Sequence, residues 1–529
     1  MTQTEIIKKY VPEGTAAQVH GRAIFFDVRA DDLVSVCTKL SKQHDLPLKT
    51  MLAEDDRAHD DSFKIFYVFG VPGENYFVVP TLKLAGTLEY PSLANDCYQA
   101  ALYEPHIHEM FGLIPVGFPA PLQPAVLHSN WPAHLNPMRK DFHKVEKKDD
   151  AKAHLEYAFT EVEGEGLYEV PVGPVHAGII EPGHFRFSMA GEIIVNLEAR
   201  LGWMHKGSEK LFETLPLSKK LLLSERIAGD TSFAHSTAFA GAIEELAGLV
   251  VPPRAQYLRV IFGELERLAN HFNDIGFILS DTGFNFGGAQ GTRLRERIMR
   301  INEHLTQSRF LRGVNTFGGV TRDIEDGDAS NLRSELLALE KDFAEVVEIA
   351  DQNSIIKNRL DGTGHLAREV AKYHDAVGVP ARASGLDVDA RRDFPYAAYA
   401  ELPFDVAVET SGDVQARYRV RIKEVSSSMA LLKQALERLP KGEICATNSL
   451  SDNSALKKNA YAVGIAEGWR GDIVYFVSTD ADGKIKRVSV RDPSFINWNL
   501  VPHSAPGNVL LDFPLINKSF NLSYTGYDR

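Results

Sequence analysis

The sequence predicts an α+β protein, in which a small N-terminal α/β domain precedes a large helical-bundle domain with a β-rich entry and a C-terminal hairpin. Three observations support this class. Short aromatic and β-branched runs fill the first 142 residues. Long apolar stripes at helical spacing follow. Near the C-terminus, two β-rich runs flank an Asp-Gly pair, which is typical of a hairpin turn.

Residues 1–142 form the first predicted domain. The runs "RAIFFDV" and "FKIFYVF" are strand candidates, and "VPGENYFVV" places a Pro-Gly-Glu-Asn turn inside a hairpin. A helix candidate begins at Ser92 and continues through "YEPHIHEMFGL". The proline-rich stretch after it cannot form regular structure, so we expect it to lie across a surface.

Residues 143–160 are charged and nearly free of large aliphatic side chains, which predicts an exposed linker. Residues 161–529 form the second predicted domain, and it opens with β-rich sequence from Tyr168 to Gly207. Apolar residues then step by three and four, which indicates long helices packed nearly parallel or antiparallel. The three stripes are Leu258, Ile261, Leu265, Leu268, Phe272 and Ile275; Leu332, Leu336, Leu339, Phe343 and Val346; and Ile422, Val425, Met429, Leu432, Leu436 and Leu439.

Composition excludes several classes of function. The net charge of −13 argues against nucleic acid or an anionic membrane surface as the main partner. No apolar run is long enough to span a bilayer, and we expect no secretory signal. Cys37, Cys97 and Cys445 are too scattered for a disulfide framework or an iron–sulfur cluster, so we expect core thiols and a reducing cytoplasm.

Longer motifs carry a resemblance to a known family. "YEPHIHEMFGL" and "WPAHLNPMRKDF" resemble the 30-kDa-type subunit of respiratory complex I. "GPVHAGIIEPGHFRF", "SFAHSTAFAGAIEELAGLVVPPRAQYLRVIFGELERLANH" and "DVQARYRVRIKEVSSSMALLKQALERL" resemble its 49-kDa-type subunit, a relative of nickel-iron hydrogenase large subunits. Fused in one chain, they resemble the large subunit of membrane-bound hydrogenases of the formate-hydrogenlyase and hydrogenase-4 type. The resemblance implies a fold like that of the nickel-iron hydrogenase large subunit.

In those hydrogenases two Cys-x-x-Cys pairs hold nickel and iron, and soft thiolates suit such a centre. The matching positions here are Ala228, Thr231, Ser523 and Gly526, so every thiolate is lost. We therefore expect no metal site and no nickel-iron centre. Such hydrogenases also have a C-terminal extension that is cleaved after metal insertion, and the end of this sequence at Arg529 agrees with a protein that is never metallated. In quinone-reducing relatives this turn carries a tyrosine, where Gly229 stands here.

Three polar residues remain where the relatives have functional groups. Glu181 or His184 matches a functional histidine, and Asp281 matches its aspartate partner. A carboxylate–imidazole pair in a semi-buried site could relay protons. The alternative is a structural hydrogen bond that holds the β-rich entry onto the bundle. We expect Glu181 or His184 within hydrogen-bonding distance of Asp281, facing the turn at 228–231.

The remaining candidates carry weaker signals. Asp230 either caps the helix that begins at Ser232 or carries a proton. His235 is a core hydrogen-bonding residue or a weak catalytic candidate. His205 and Glu209 match a hydrogenase motif, although Glu209 could simply pair with a neighbouring base. Finally, Arg382 and Arg491 either face the cavity or form ion pairs. "GFNFGGAQG" is rich in glycine but is not a phosphate loop.

The resemblance implies two alternative functions. The first is a redox subunit on the cytoplasmic face of the inner or cell membrane. It would accept electrons from a small [4Fe-4S] hydrogenase-like or complex I-like subunit, with a ferredoxin-like iron–sulfur subunit nearby. It would then reduce a quinone-like acceptor and drive proton or other ion translocation by membrane subunits. The second is a non-catalytic structural or coupling subunit. In either case we expect no cofactor in this chain, and any NAD chemistry would belong to a partner.

Overall fold

The computed structural model describes residues 1–128, 130–132, 134–142, 157–176, 180–447, 450–452, 454 and 456–529. The predicted linker lies mostly outside these residues. Its described part, 157–160, has no helix or strand. The predicted α+β class and the order of its parts are confirmed. Within the described residues, no helix is both long and apolar enough to cross a membrane.

The N-terminal domain is built on a five-stranded sheet with strand order β1-β2-β5-β4-β3, in which only β2 and β5 are parallel. Its elements are α1 (Gln3–Tyr10), β1 (Ala17–His20), β2 (Ala23–Val28), α2 (Ala30–Thr38), β3 (Leu48–Asp55), α3 (Arg57–Asp60), β4 (Ser62–Val71), β5 (Tyr76–Ala85), β6 (Glu89–Pro91), α4 (Ala100–Phe111) and β7 (Ile114–Val116). The predicted hairpin is the β4–β5 pair. The helix begins at Ala100 rather than Ser92, because the Glu104 carboxylate accepts the Leu93 N–H and the Ser92 hydroxyl and holds that stretch as a turn.

The second domain opens with a three-stranded sheet and continues into the helical bundle. Its elements up to the last long helix are β8 (Leu167–Val172), β9 (His184–Ala190), β10 (Ile193–Arg200), α5 (Ser208–Thr214), α6 (Leu217–Ser224), α7 (Ser232–Ala247), α8 (Pro253–Asp281), α9 (Asn285–Thr306), β11 (Asn315–Thr316), β12 (Gly319–Val320), α10 (Asp326–Asp351), α11 (Ser354–Leu360), α12 (Arg368–Tyr373), α13 (Gly378–Ala383), α14 (Ala390–Asp393) and α15 (Val414–Glu437). The three apolar stripes lie on α8, α10 and α15, except for Leu439, which follows the end of α15. Nearly all of their residues are buried in one core.

The C-terminal part adds a second three-stranded sheet and four short helices. These elements are β13 (Tyr461–Gly468), β14 (Gly471–Thr479), β15 (Ile485–Arg491), α16 (Pro493–Asn497), α17 (Val501–Ser504), α18 (Phe513–Phe520) and α19 (Tyr524–Asp528). Strands β14 and β15 form the predicted hairpin, and Gly483 in its turn has a φ of +78°. Strand β13 pairs with the other edge of β14.

The glycine-rich stretch proves to be the first part of α9. A Cβ on Gly291 would lie 2.6 Å from both the Cα of Gly276 and the carbonyl oxygen of Phe272 on α8. Glycine is therefore required because two helix backbones approach closely there. This contact brings α9 against α8, which carries much of the site described below.

The two domains share a buried face. One side of the N-terminal sheet packs on its own helices, and the alternate residues of its strands pack on β13 and β14. Phe25 and Phe66 contact Phe476 of β14 there. Since a strand turns successive side chains to opposite sides, this sheet is apolar on both faces. The domain boundary itself stays a prediction.

Candidate functional site

The turn at 228–231 precedes α7, and the Thr231 N–H closes it by donating to the Ala228 carbonyl. Ala228 is fully buried and carries no ligand atom. The Thr231 hydroxyl donates to Asp230 and accepts from Arg470. The two polar side chains of this turn are therefore already engaged with each other and with one arginine.

The C-terminal pair of matched positions is equally occupied. The Ser523 hydroxyl accepts the Gly526 N–H at 2.9 Å and caps α19. Gly526 lies directly against Asp492, since a Cβ there would be 2.7 Å from its carboxyl carbon. Two of the four positions offer no donor atom, and the other two offer neutral hydroxyls that are already used. This set does not fit a thiolate-bound nickel-iron centre.

An arginine joins the two segments. Both terminal nitrogens of Arg470 donate to the Asp230 carboxylate, at 2.7 and 2.8 Å, and its Nε donates to the Asn521 carbonyl. The guanidinium also stacks on the Trp469 ring at 3.8 Å from the ring centre. Burial alone would raise the pKa of Asp230, but the charge of Arg470 lowers it below its ordinary value.

Asp230 does not cap α7, so of the two roles predicted for it the capping role is wrong and the proton-carrying role stays a prediction. The N-cap residue Thr231 makes no side-chain cap either. Instead the Glu266 carboxylate, on α8, accepts the N–H groups of Phe233 and Ala234 at 2.7 and 3.1 Å. Burial raises the pKa of Glu266 to about 8, and the charge of Asp230 adds to this. Glu266 of α8 thus satisfies the N-terminus of α7, while the Asp230 carboxylate binds Arg470.

His235 is fully buried and bridges two groups. Its Nδ1 lies 3.0 Å from the Tyr475 hydroxyl, and its Nε2 lies 3.0 Å from an Asp492 carboxylate oxygen. Asp492 also accepts the Ser494 N–H and caps α16. Burial would raise the pKa of Asp492, but its hydrogen bond to His235 helps to lower it. His235 thus has the core hydrogen-bonding arrangement, one side chain away from the Gly526 position.

The expected pairing with Asp281 is not formed. Asp281 accepts from the Lys518 ammonium at 2.6 Å, and its other carboxylate oxygen is buried without a partner among the described residues. Glu181 accepts the Thr525 N–H at 3.0 Å, and the Nδ1 of His184 lies 3.2 Å from the Gly173 carbonyl. Glu181 therefore lies at the C-terminal helix α19, and Asp281 is paired with Lys518 instead. Lys518 lies 237 residues after Asp281, so sequence spacing could not reveal this pair.

The weaker candidates form ion pairs and backbone contacts. Glu209 binds Arg487 at 2.6 Å and Arg529 at 3.4 Å. Burial would raise the pKa of Glu209, but these two charges lower it to about 2. The Nδ1 of His205 lies 2.7 Å from the Asp528 carbonyl. Arg491 pairs with Asp472 at 2.9 Å.

Arg382 belongs to a group of buried charges that we call the sealed cluster. None of its members is more than 3% exposed. They are Glu264, Arg267, His271, Arg382, Asp389, Arg391, Glu424 and Glu467. Arg382 pairs with Glu424 at 2.8 Å and with Glu467 at 2.9 Å. It therefore faces other charges rather than an open cavity.

A cleft opens beside the turn. Its free volume is only about 20 Å³, which is room for about one water molecule, and Asp230, Glu266 and Asn270 line it together with Arg295, Arg309 and Phe310. Asp230 keeps 39% of its side chain exposed, whereas Arg470 keeps 5%. The polar groups that sequence reasoning missed are Glu266, Arg470, Asp492 and Tyr475. Their partners lie tens to hundreds of residues away, so local spacing carried no signal for them.

The fold and the site define a large subunit of the type that complex I shares with nickel-iron hydrogenases. Residues 281–529 match the family model of the respiratory-chain NADH dehydrogenase 49 Kd subunit, and residues 26–148 match that of its 30 Kd subunit. The chain belongs to the family of fused 30-kDa and 49-kDa complex I-type subunits that includes formate hydrogenlyase subunit 5 and hydrogenase-4 component G. The predicted resemblance is thereby confirmed.

Two relatives from Escherichia coli (strain K12) match nearly the whole chain. Formate hydrogenlyase subunit 5 is 33% identical over 487 residues, which are 91% of this chain and 84% of that protein. Hydrogenase-4 component G is 33% identical over 506 residues, which are 95% of this chain and 87% of that protein. A subunit in the structure of the membrane-bound sulfane sulfur reductase, an archaeal respiratory membrane complex, aligns with a TM-score of 0.65 and 28% identity. That alignment covers 69% of this chain and 99% of the subunit.

Proposed function

We propose that this chain is a non-metallated, hydrogenase-like large subunit of a membrane-associated oxidoreductase of the complex I type. It lies peripherally on the cytoplasmic face of the membrane and is held there by partner proteins. It receives electrons from a small [4Fe-4S] subunit, next to a ferredoxin-like iron–sulfur subunit. Reduction of the acceptor is coupled to ion translocation by membrane subunits.

One observation carries the proposal: fixed charges fill the positions of the lost thiolates. Arg470 joins Asp230 of the turn to the Asn521 carbonyl just before α19, and Asp492, which lies against Gly526 of α19, binds His235 of α7. Burying charged groups costs several kcal/mol unless they are well paired, so apolar side chains would fill an unused cavity more cheaply. A charged, hydrogen-bonded lining suits a site that moves protons as electrons arrive.

The acceptor binds at the mouth of the cleft rather than in the space between the turn and α19. The space between the turn and α19 holds side chains, and the neighbouring cleft opens to the surface but has only about 20 Å³ of free volume, so an acceptor would contact its mouth. A quinone-like head group is the first candidate. Because one structural relative is titled a sulfane sulfur reductase, a sulfane sulfur compound is the second acceptor class to test.

The alternative is a non-catalytic structural or coupling subunit. The position of the two segments favours it, since the Arg470 and Asp492 side chains lie between them. The retained fold would then hold its partners together while electron transfer ends elsewhere.

The purified membrane complex distinguishes the two proposals. Reduced methyl viologen serves as the electron donor, and decylubiquinone and inorganic polysulfide serve as test acceptors. For a redox subunit, we expect Arg470→Lys to lower the acceptor-dependent rate by about tenfold or more, or about 1.4 kcal/mol in barrier. The assembled complex should keep its subunits, as for the surface control Arg392→Lys. Unchanged turnover per assembled complex would instead support the structural role.

Elemental analysis tests the metal-free assignment separately. We expect no stoichiometric nickel and no hydrogen evolution or uptake with a dye, because the thiolate set is missing. One nickel per complex that is lost together with this chain would overturn the proposal.

A further inference from the structure

The sealed cluster is a closed network in which each arginine bridges two carboxylates. Arg391 binds Asp389 at 2.7 Å and Glu264 at 3.1 Å. Arg382 binds Glu424 and Glu467, and Arg267 lies 3.2 Å from Glu264. Salt cannot screen pairs at this depth as it screens surface pairs, so the number of charges has to balance within the network.

The charges do not balance. The cluster holds four carboxyl groups against three guanidinium groups, and the eighth member is His271. Its Nε2 lies 2.7 Å from Glu424, but its Nδ1 is buried with no partner among the described residues. An imidazolium would therefore bury an unsatisfied N–H, which costs about 1–3 kcal/mol. His271 is accordingly neutral, and one carboxyl group is left without a compensating charge.

Glu467 is the least compensated of the four. Asp389 holds Arg391 with both oxygens, and Glu264 accepts from two arginines and two hydroxyl groups. Glu424 shares Arg382 and also accepts from His271. Glu467 has only one nitrogen of Arg382 and the Ala390 N–H, each at 2.9 Å. Burial and the charge of Asp389 raise its pKa to about 7.

The groups that face Glu467 come from every neighbouring element. They are Arg267 and Glu264 of α8, Arg382 of α13, Asp389 and Arg391 around α14, Tyr396 after it, Glu424 of α15 and Asp472 of β14. Asp472 is paired with Arg491 and Lys49, and its charge adds to that of Asp389 in raising the pKa of Glu467.

Glu467 is also connected to the candidate site through the backbone. It lies at the end of β13, three residues before Arg470, in the strand pair that ends at Gly468 and Gly471. The two terminal nitrogens of Arg267 donate to the carbonyls of Glu467 and Gly468 at 2.7 and 3.0 Å. A change in the charge of Glu467 therefore acts at the base of the turn that presents Arg470 to Asp230.

We propose that Glu467 is a buried proton-binding site, which holds the one extra proton of the sealed cluster and ends the strand that carries Arg470. This site goes beyond the proposed function, because the proton is required by the charges of the cluster whichever acceptor the complex uses. Protonated Glu467 leaves the cluster neutral. Release of the proton leaves it with one negative charge next to the Arg470 turn.

Infrared spectroscopy of the full chain tests the proposal. The C=O band of a buried carboxylic acid should be present at mildly acidic pH, shift in D₂O and disappear as the pH rises through neutrality. Glu467→Gln should remove one such band while circular dichroism stays native. The matched control Glu437→Gln, at an exposed position on α15, should keep the band.

A second variant tests the charge balance itself. Asp389→Asn leaves three carboxyl groups against three arginines, so Glu467 should lose its proton at lower pH and the midpoint of the band should shift to the acidic side. If Glu467→Gln keeps the full set of bands, or if Asp389→Asn leaves the midpoint unchanged, Glu467 is not the proton-binding group.

Discussion

Glu264 and Glu266 lie two residues apart on α8 and are both buried, but their pKa values are shifted in opposite directions. Burial would raise the pKa of Glu264, but the charges of Arg267 and Arg391 lower it. Burial raises the pKa of Glu266 to about 8, because Glu266 has no guanidinium partner among the described residues and its two backbone N–H donors only partly offset the burial. The difference teaches that partners, rather than depth, decide which buried acid keeps its charge.

The two glutamates also face different surroundings. Glu264 belongs to the sealed cluster, whereas Glu266 lines the cleft beside Asp230. Around Glu264 the charges are locked in ion pairs, whereas at Glu266 a proton can bind and leave. If this comparison holds, changes at the ion pairs of Glu264 should mainly cost stability, and changes at Glu266 should mainly alter pH dependence.

The largest effect is expected from Arg391→Met. It leaves Asp389 and part of the charge of Glu264 buried without a cation, which should lower the free energy of unfolding by about 4 kcal/mol. Urea unfolding of the full chain measures this. The neighbouring Arg392 is about 40% exposed and pairs with Asp387 and Asp393, so Arg392→Met should cost less than about 1 kcal/mol. Equal losses for the two variants would contradict the comparison.

Glu266→Gln should change the pH dependence of stability. The pKa of Glu266 rises from 4.5 to about 8 on folding. The protonated carboxyl therefore stabilises the fold fully below about pH 4.5, and this contribution is lost as the pH rises through about 8. In wild type this loss should lower the free energy of unfolding by about 4 kcal/mol between pH 5 and pH 8.5. The variant should lack this component, and unfolding midpoints at pH 5 and pH 8.5 report it. Parallel curves for the two proteins would show that Glu266 does not titrate there.

Asp230→Ala should cost about 2 kcal/mol, because Arg470 loses its bidentate partner while 95% buried. The figure lies below that for a fully sealed pair, since Asp230 keeps 39% of its side chain exposed and water screens the attraction. A double-mutant cycle with Arg470→Met isolates the interaction. Strict additivity of the two single variants would mean that the pair contributes nothing.

The sequence predicts the elements of this fold better than the contacts of its site. Stripes such as Leu258 to Ile275 indicate α8 correctly because helical periodicity is local. The capping of α7 was predicted wrongly because Glu266, 33 residues away, competes for the same N–H groups. Arg470 was missed because its partner Asp230 lies 240 residues earlier, and no spacing rule reaches that far.

The smallest effect is expected at Asp281, which the resemblance placed in a proton relay. Its partner in the structure is Lys518, whose side chain is 40% exposed, and an ion pair of that exposure contributes about 0.5 kcal/mol. Asp281→Asn should therefore lower the free energy of unfolding by about that amount and leave turnover per assembled complex unchanged between pH 6 and pH 8. Lys518→Met is the matched control, because it removes the same pair from the other side. If Asp281→Asn alone suppresses pH-dependent turnover while Lys518→Met does not, Asp281 carries protons independently of its lysine. Asp281 would then behave like Glu266, which can exchange a proton, rather than like Glu264, which is held in ion pairs.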